Sequence, residues 1–208
     1  MAGNLTINDK LSSLRDFREA VKEGHLNMSP VQAVYKAANL HAQALEALGG
    51  IAERIETPEE QNSMYSLSTL IRTGKKGTDD FVSHTREYLQ SMNVAEAAEK
   101  VEVLHHHTLS NIRHAIVTLR VFEKLDAPLS HGESFKYGRD DDWDKVNDEM
   151  DLRESTFHPA NMRELVEGMA DMHAFELDVL QTIERRVEAA ELAVRKSRPT
   201  QPFGSPTG

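Results

Sequence analysis

The feature that most constrains how this chain folds is the stretch from Val94 to Leu125, which contains neither glycine nor proline. Its apolar residues recur three and four positions apart, and such spacings return to one side of an α-helix at about 100° per residue. His105 and Thr108 fall on this apolar side as well. The pattern predicts a central helix about 48 Å long, against which other long helices pack. Its apolar stripe comprises Val94, Ala98, Val101, Ile112, Ala115, Leu119 and Phe122.

The opposite side of the predicted central helix is not purely polar, because Val103, Val117 and Val121 lie on it. A side that faces only water normally carries polar residues, so a second apolar set indicates that more than one side is covered. These three valines are therefore the predicted interface for contact between chains.

Composition favours a single all-helical domain. The chain has 208 residues, of which 39% are hydrophobic and only 6% aromatic, with 11 glycines. A chain of this length buries a sizeable core in one domain, and aromatic residues are enriched in strands rather than helices. We expect residues 1–198 to form this domain and the proline-containing residues 199–208 to be a disordered tail.

Charge and cysteine content narrow the range of functions. The formal net charge of −10 disfavours binding to nucleic acid or to an anionic membrane surface. No apolar run approaches the roughly 18 residues of a membrane span, and the first residues lack the basic and apolar regions of a signal peptide. We therefore expect a cytoplasmic protein, unless a dedicated secretion system exports it or a particle carries it. The absence of cysteine excludes disulfides, thiolate metal ligands and a cysteine nucleophile.

Capping and turn residues divide the rest of the chain into further helices. Ser29-Pro30 and Thr57-Pro58 are start signals, since serine or threonine caps a helix and proline fits its first turn. The segment Gly74 to Gly77 is predicted to be a turn. The helical pattern is lost from 126 to 158, which predicts a long acidic loop in which Trp143 packs. The predicted helices span about 9–23, 30–55, 58–73, 78–92, 94–125 and 159–197.

These elements predict an all-α bundle of about six helices, in which the long helices 94–125 and 159–197 run antiparallel and the acidic loop joins them. In that arrangement His105 and Glu176 lie about 30 Å and about 26 Å from the same end of the pair. Both fall on apolar stripes, so they are predicted to meet in the core. A buried polar layer of His105, Thr108 and Glu176 would then fix the register of the helices.

Three predicted helices each carry one histidine and one glutamate three residues apart. Such residues share a helix face, so pairs on different helices can converge on a metal ion, as in carboxylate-bridged bundle sites. One pair has the Glu-x-x-His order and two have the reverse order. The pairs are His84 with Glu87, Glu102 with His105, and His173 with Glu176. The alternative to a structural polar layer is therefore a metal site built from Glu102, His105, His173 and Glu176.

The segment from His107 to Ile116, H-T-L-S-N-I-R-H-A-I, resembles the H-box of histidine phosphotransfer proteins. In that family an exposed histidine on a long bundle helix accepts a phosphoryl group. The resemblance lies within these ten residues. It implies an exposed, phosphoryl-accepting histidine on the central helix.

Beyond these candidates, we find no Ser-His-Asp arrangement, phosphate-binding glycine loop or basic aromatic patch in the sequence. We therefore expect a non-enzymatic helical scaffold or interaction protein that binds protein partners, most simply further copies of itself, and needs no cofactor. The alternatives are a metal-dependent helical-bundle enzyme and a histidine phosphotransfer protein.

Overall fold

The computed structural model describes residues 16–17, 19–24, 27–87, 92–125 and 140–197. Of these residues 87% are helical and none forms a strand, which confirms the all-α helical bundle. Helical residues at 16–17 and 19–22 precede five longer helices, and a 3₁₀ turn, Glu60–Asn62, lies between the first two of these. The longer helices are α1 (Pro30–Ile55), α2 (Leu67–Glu87), α3 (Val94–Leu125), α4 (Asp140–Thr156) and α5 (Met162–Ser197).

The first residues of α1 and α2 are held by different kinds of cap. Ser29 and Gln32 form a capping box at α1, with Pro30 in the first turn, as the sequence predicted. The N-terminus of α2 is instead capped by the carboxylate of Glu56. Its oxygens accept hydrogen bonds from the backbone N–H groups of Leu67 and Ser68 at 2.6 and 3.1 Å. Because Glu56 lies 11 residues before Leu67, no local motif indicates this cap.

The predicted turn from Gly74 to Gly77 is wrong, because α2 continues through it. A Cβ atom at Gly74 would lie 3.3 Å from the Leu45 side chain, so the glycine lets α2 approach α1 closely. The hydroxyl of Thr78 donates to the Gly74 carbonyl at 2.8 Å within the uninterrupted helix. Tertiary packing therefore outweighs the helix-breaking tendency of glycine here.

The loop predicted over 126–158 is wrong for residues 140–156, because these residues form α4. Residues 126–139 lie outside the described part of the chain. Trp143, Val146 and Met150 are buried at spacings of three and four residues, and Trp143 packs as predicted. This apolar stripe is narrow and surrounded by acidic residues, which is why the helical period was not recognised in the sequence.

The two longest helices, α3 and α5, run parallel, and the antiparallel arrangement predicted for them is wrong. His105 contacts Glu176, and Glu123, further along α3, contacts Arg186, further along α5. Contacts that advance together along both helices require the same direction. The pair of helices also differs from the prediction at one end, since α5 begins at Met162 rather than at residue 159.

The parallel direction of α5 follows from the unpredicted helix α4. Arg113 on α3 contacts Glu154 on α4, whereas Arg120, later on α3, pairs with Asp144, earlier on α4. The chain thus returns along α4 before it enters α5 in the direction of α3. All five helices contribute buried apolar side chains to one core cluster. None of the helices in the described ranges is apolar enough over a sufficient length to span a membrane, and the predicted tail 199–208 falls outside those ranges.

Candidate functional site

A buried carboxylate between two histidines lies where α3 meets α5. The Nδ1 atoms of His105 and His173 donate to the two oxygens of Glu176 at 2.8 and 2.9 Å. His105 is 5% exposed, and His173 and Glu176 are each 1% exposed. His105 and Glu176 meet as the sequence predicted, although by a different geometry, because both lie roughly three to four turns after the start of their parallel helices.

The histidines keep the Glu176 carboxylate ionised in the core. Burial by itself raises the pKa of Glu176, but the charges and hydrogen bonds of His105 and His173 outweigh burial and lower it to about 2. An ionised carboxylate only accepts hydrogen bonds, so each Nδ1 atom carries a proton. The Nε2 atoms of both rings are buried and have no hydrogen-bond partner.

A second polar pair joins α1 to this cluster. Thr108 is 1% exposed and donates its hydroxyl proton to the Leu104 carbonyl at 3.0 Å, so its oxygen accepts from Nδ1 of His41 at 2.5 Å. Burial lowers the pKa of His41 to about 4, against an opposing contribution from Glu176. The ring of His41 is therefore neutral near pH 7, with its proton on Nδ1. The polar layer predicted from His105, Thr108 and Glu176 thus also includes His173 and His41.

His41 was not identified as part of the layer from the sequence, although a signal for it exists. It lies three residues after Ala38 and four before Leu45, so it continues the apolar stripe of α1. His105 was predicted to be buried because it is a polar residue on the apolar stripe of α3. The same property of His41 on α1 predicts that His41 is buried as well.

The proposed metal ligands do not come together as a set. Glu102 is exposed, whereas His105 is buried. Both oxygens of Glu176 already accept hydrogen bonds from histidines. Within the described ranges no group of three or more histidine, aspartate or glutamate residues is arranged to hold a metal ion. The side chains of His84 and Glu87 lie outside the described part of the structure.

The predicted interface valines share one exposed face of α3. Val103, Val117 and Val121 are 48%, 56% and 50% exposed. His114, on the same face, donates from Nε2 to the Tyr65 carbonyl at 3.0 Å. This contact places the exposed Tyr65, 79% accessible, beside the face. We call the set Val103, His107, Ser110, His114, Val117 and Val121 the α3 stripe.

Two histidines of the segment that resembles an H-box therefore lie on the α3 stripe. His107 is exposed, and its backbone carbonyl accepts from Asn111 at 2.8 Å. His114 is half-buried, with its Nε2 proton directed at the Tyr65 carbonyl. Of the two, His107 is the histidine that meets the exposure implied by the resemblance.

A buried ion pair that the sequence analysis missed lies at the far end of α3 and α5. Arg186 donates from Nε to Glu123 at 2.6 Å and from a second nitrogen to the other oxygen of the same carboxylate. The guanidinium lies over the Trp143 ring, 5.1 Å from its centroid. Arg186 is 5% exposed and Glu123 8% exposed. The three residues connect α3, α4 and α5.

Acid should destabilise the fold through His41. An unfolded histidine has its usual pKa of 6.5, whereas His41 in the fold has a pKa of about 4, so the unfolded state binds more protons between these values. Stability is then lost as pH falls from about 6.5 to about 4, by about 3 kcal/mol in total. Urea unfolding at several pH values measures this loss.

The matched variant for this pH experiment is His41→Gln, which keeps an N–H donor for Thr108 but does not titrate. Its stability should depend less on pH than that of the wild type between pH 6.5 and 4. Glu176, with its pKa of about 2, contributes a further loss in both proteins below about pH 4.5. Equal pH dependence of the two proteins above pH 4.5 would show that His41 is not buried in its neutral form.

The fold and this cluster define a class of protein: an all-α helical bundle whose core contains a hydrogen-bonded layer of histidines and one glutamate. Comparison with protein-family models, with curated proteins and with solved structures finds no match.

Proposed function

We propose that this chain is a non-enzymatic helical-bundle protein that assembles with further copies of itself through the α3 stripe. The observation that supports this proposal is the exposure of Val103, Val117 and Val121 on one face of a long helix. Exposed apolar residues aligned over several helical turns indicate a contact surface when they form a continuous patch. The backbone of Tyr65, which precedes α2, contacts the same face through His114.

Charge favours a second copy at this face. The chain has a formal net charge of −10, so two copies repel each other over most of their surfaces. The α3 stripe contains no lysine, arginine, aspartate or glutamate. It is therefore a surface on which two copies can approach without placing like charges in contact.

Two of the three stripe valines are spaced symmetrically about Ser110. Val103 and Val117 each lie seven residues from Ser110, or about 10 Å along the helix. A twofold axis at Ser110 would place Val103 against the partner's Val117, and the small serine would allow the two helices to approach closely. The same axis would place Lys124 opposite the partner's Glu96, both exposed.

Val117→Glu should convert the assembled protein to a monomer. A carboxylate in a buried apolar contact costs several kcal/mol unless it is paired, and a twofold interface would contain the change twice. Light scattering coupled to size-exclusion chromatography measures the mass directly. The matched control is Leu192→Glu on α5, because Leu192 is 52% exposed but lies outside the stripe.

The proposal expects a wild-type dimer, a monomeric Val117→Glu variant and a dimeric Leu192→Glu variant. A wild-type monomer at high concentration would overturn it. Because the chain has no cysteine, Ser110→Cys provides a further check. Oxidation should link two copies through this position if the axis passes near it, whereas Ser155→Cys on the exposed side of α4 should not link them.

A second candidate function is binding of a metal ion by the Nε2 atoms of His105 and His173. Both atoms are buried without a partner, and a carboxylate that holds the other ring nitrogen is a common support for metal-binding histidines. Metal analysis of the purified protein tests this candidate. Stoichiometric iron, manganese or zinc that is lost in Glu176→Ala would favour it over a scaffold.

A further inference from the structure

A cleft of about 370 Å³ lies between α1, α2 and α3. Its walls include the apolar side chains of Leu70, Phe81 and Leu104, and His41 lines it from α1. This volume falls within the range of small-molecule sites, which are mostly apolar with a few polar groups that fix the orientation of the ligand. The cleft combines both features.

His41 presents a hydrogen-bond acceptor at this cleft. Thr108 gives its only proton to the Leu104 carbonyl, so Nδ1 of His41 must donate to the Thr108 oxygen. Nε2 is then the ring nitrogen with a lone pair. Because Thr108 fixes Nδ1, the ring is held in one orientation and the acceptor is pre-organised.

A glycine in the middle of α2 lines the cleft. A Cβ atom added at Gly77, which lines the cleft, would meet no atom within 4 Å. Glycine inside a helix is unfavourable by roughly 1 kcal/mol relative to alanine, and no close helix contact at Gly77 compensates for it. A longer side chain at Gly77 therefore has room to extend from α2 beside the cleft.

The lining side chains determine what kind of molecule fits. None of them is a lysine, arginine, aspartate or glutamate, so a charged ligand would lose hydration without gaining a counter-charge. We propose that the cleft binds a neutral small molecule with an apolar body and one hydroxyl or N–H donor, which bonds to Nε2 of His41. A phenol-like or indole-like compound has this chemistry.

This inference goes beyond the proposed self-association, although the two surfaces overlap. Val103, His107 and Ser110 belong both to the α3 stripe and to the wall of the cleft, whereas Val117 lies outside the wall. In the proposed dimer the partner's helix would pass across the mouth of the cleft. Binding is therefore measured on the wild type and on Val117→Glu. In this way the ligand site can be tested whether or not the protein forms a dimer.

The experiment compares two probes of similar size, 2-naphthol and its methyl ether, by calorimetric titration. The naphthol should bind with one saturable site per chain. It should bind about three- to tenfold more tightly than the ether, the value of one ordinary hydrogen bond. The nitrogen NMR signal of the His41 ring, assigned by its loss in His41→Gln, should shift on addition of 2-naphthol.

Gly77→Leu and Gly50→Leu form a matched pair of variants. A leucine at Gly77 should fill the cleft and weaken binding at least about tenfold, because it occupies the volume of the ligand. Gly50 also has no atom within 4 Å of an added Cβ and is exposed on α1 away from the cleft, so Gly50→Leu should bind normally. Both changes favour a helix, so loss of folding is not expected.

Saturable binding by Val117→Glu, lost in Gly77→Leu and kept in Gly50→Leu, would support the proposal, and binding by the wild type should be weaker where the partner's helix covers the cleft. No saturable binding by either protein, equal binding by Gly77→Leu, or no preference for 2-naphthol over the ether would each overturn it. Binding by the wild type but not by Val117→Glu would overturn the assignment of the site to the cleft of a single chain.

Discussion

Glu176→Leu should lower the free energy of unfolding by about 3–5 kcal/mol. Glu176 is 1% exposed and accepts hydrogen bonds from both His105 and His173. Its removal leaves two buried imidazole N–H groups without an acceptor, and an unsatisfied buried donor costs more than the hydrogen bond contributes. Urea unfolding followed by circular dichroism measures the loss. Glu188→Leu, at an exposed position on the same helix, should change stability by less than about 0.5 kcal/mol.

The same loss should be largely recovered when all the polar partners are removed together. The triple variant His105→Leu, His173→Leu, Glu176→Leu replaces a hydrogen-bonded layer with apolar side chains, which is often neutral or stabilising. The double variant His105→Leu, Glu176→Leu should recover less, because Nδ1 of His173 still lacks its acceptor. If the effects of the single changes add, the three side chains are not coupled and do not form a hydrogen-bonded layer.

The triple variant also separates a structural layer from a metal site. A structural layer predicts that the triple variant folds and still assembles through the α3 stripe. A metal site formed by His105 and His173 predicts that the variant folds but loses the bound metal. The comparison is informative because the changed residues are buried in the core and are not among the exposed valines whose contact assembly requires.

Trp143→Ala should lower the free energy of unfolding by about 3–5 kcal/mol. Trp143 is fully buried, and the guanidinium of Arg186 lies over its ring. Removal of the ring leaves a cavity and exposes the Arg186–Glu123 ion pair to water. Because the apolar stripe of α4 is narrow, we expect α4 to open locally before the rest of the bundle unfolds.

Circular dichroism must follow this unfolding, because Trp143 is the only tryptophan of the chain. Hydrogen exchange should show faster exchange across α4 than across α1 in the variant. The control is Leu152→Ala on the same helix, where Leu152 is 56% exposed and the change should stay within about 0.5 kcal/mol. Unchanged exchange in α4 of Trp143→Ala would mean that this side chain does not anchor the helix.

The sequence by itself determined the helical class and the bounds of α1 and α3. It also indicated that His105, Thr108 and Glu176 are buried, because polar residues at those positions interrupt apolar stripes. These properties are local: the period of the apolar residues and the capping residues act within a few turns of one helix.

The tertiary structure decided the features that depend on residues far apart in the chain. It added α4, made α5 parallel to α3, carried α2 through Gly74 and brought His41 and His173 to the polar layer. A periodic apolar stripe shows which side of a helix is apolar, but it does not show which neighbouring helix covers that side. That choice depends on the summed packing of all helices around one core, where a close contact at Gly74 or a single buried Trp143 outweighs the local signals of the segment that contains it.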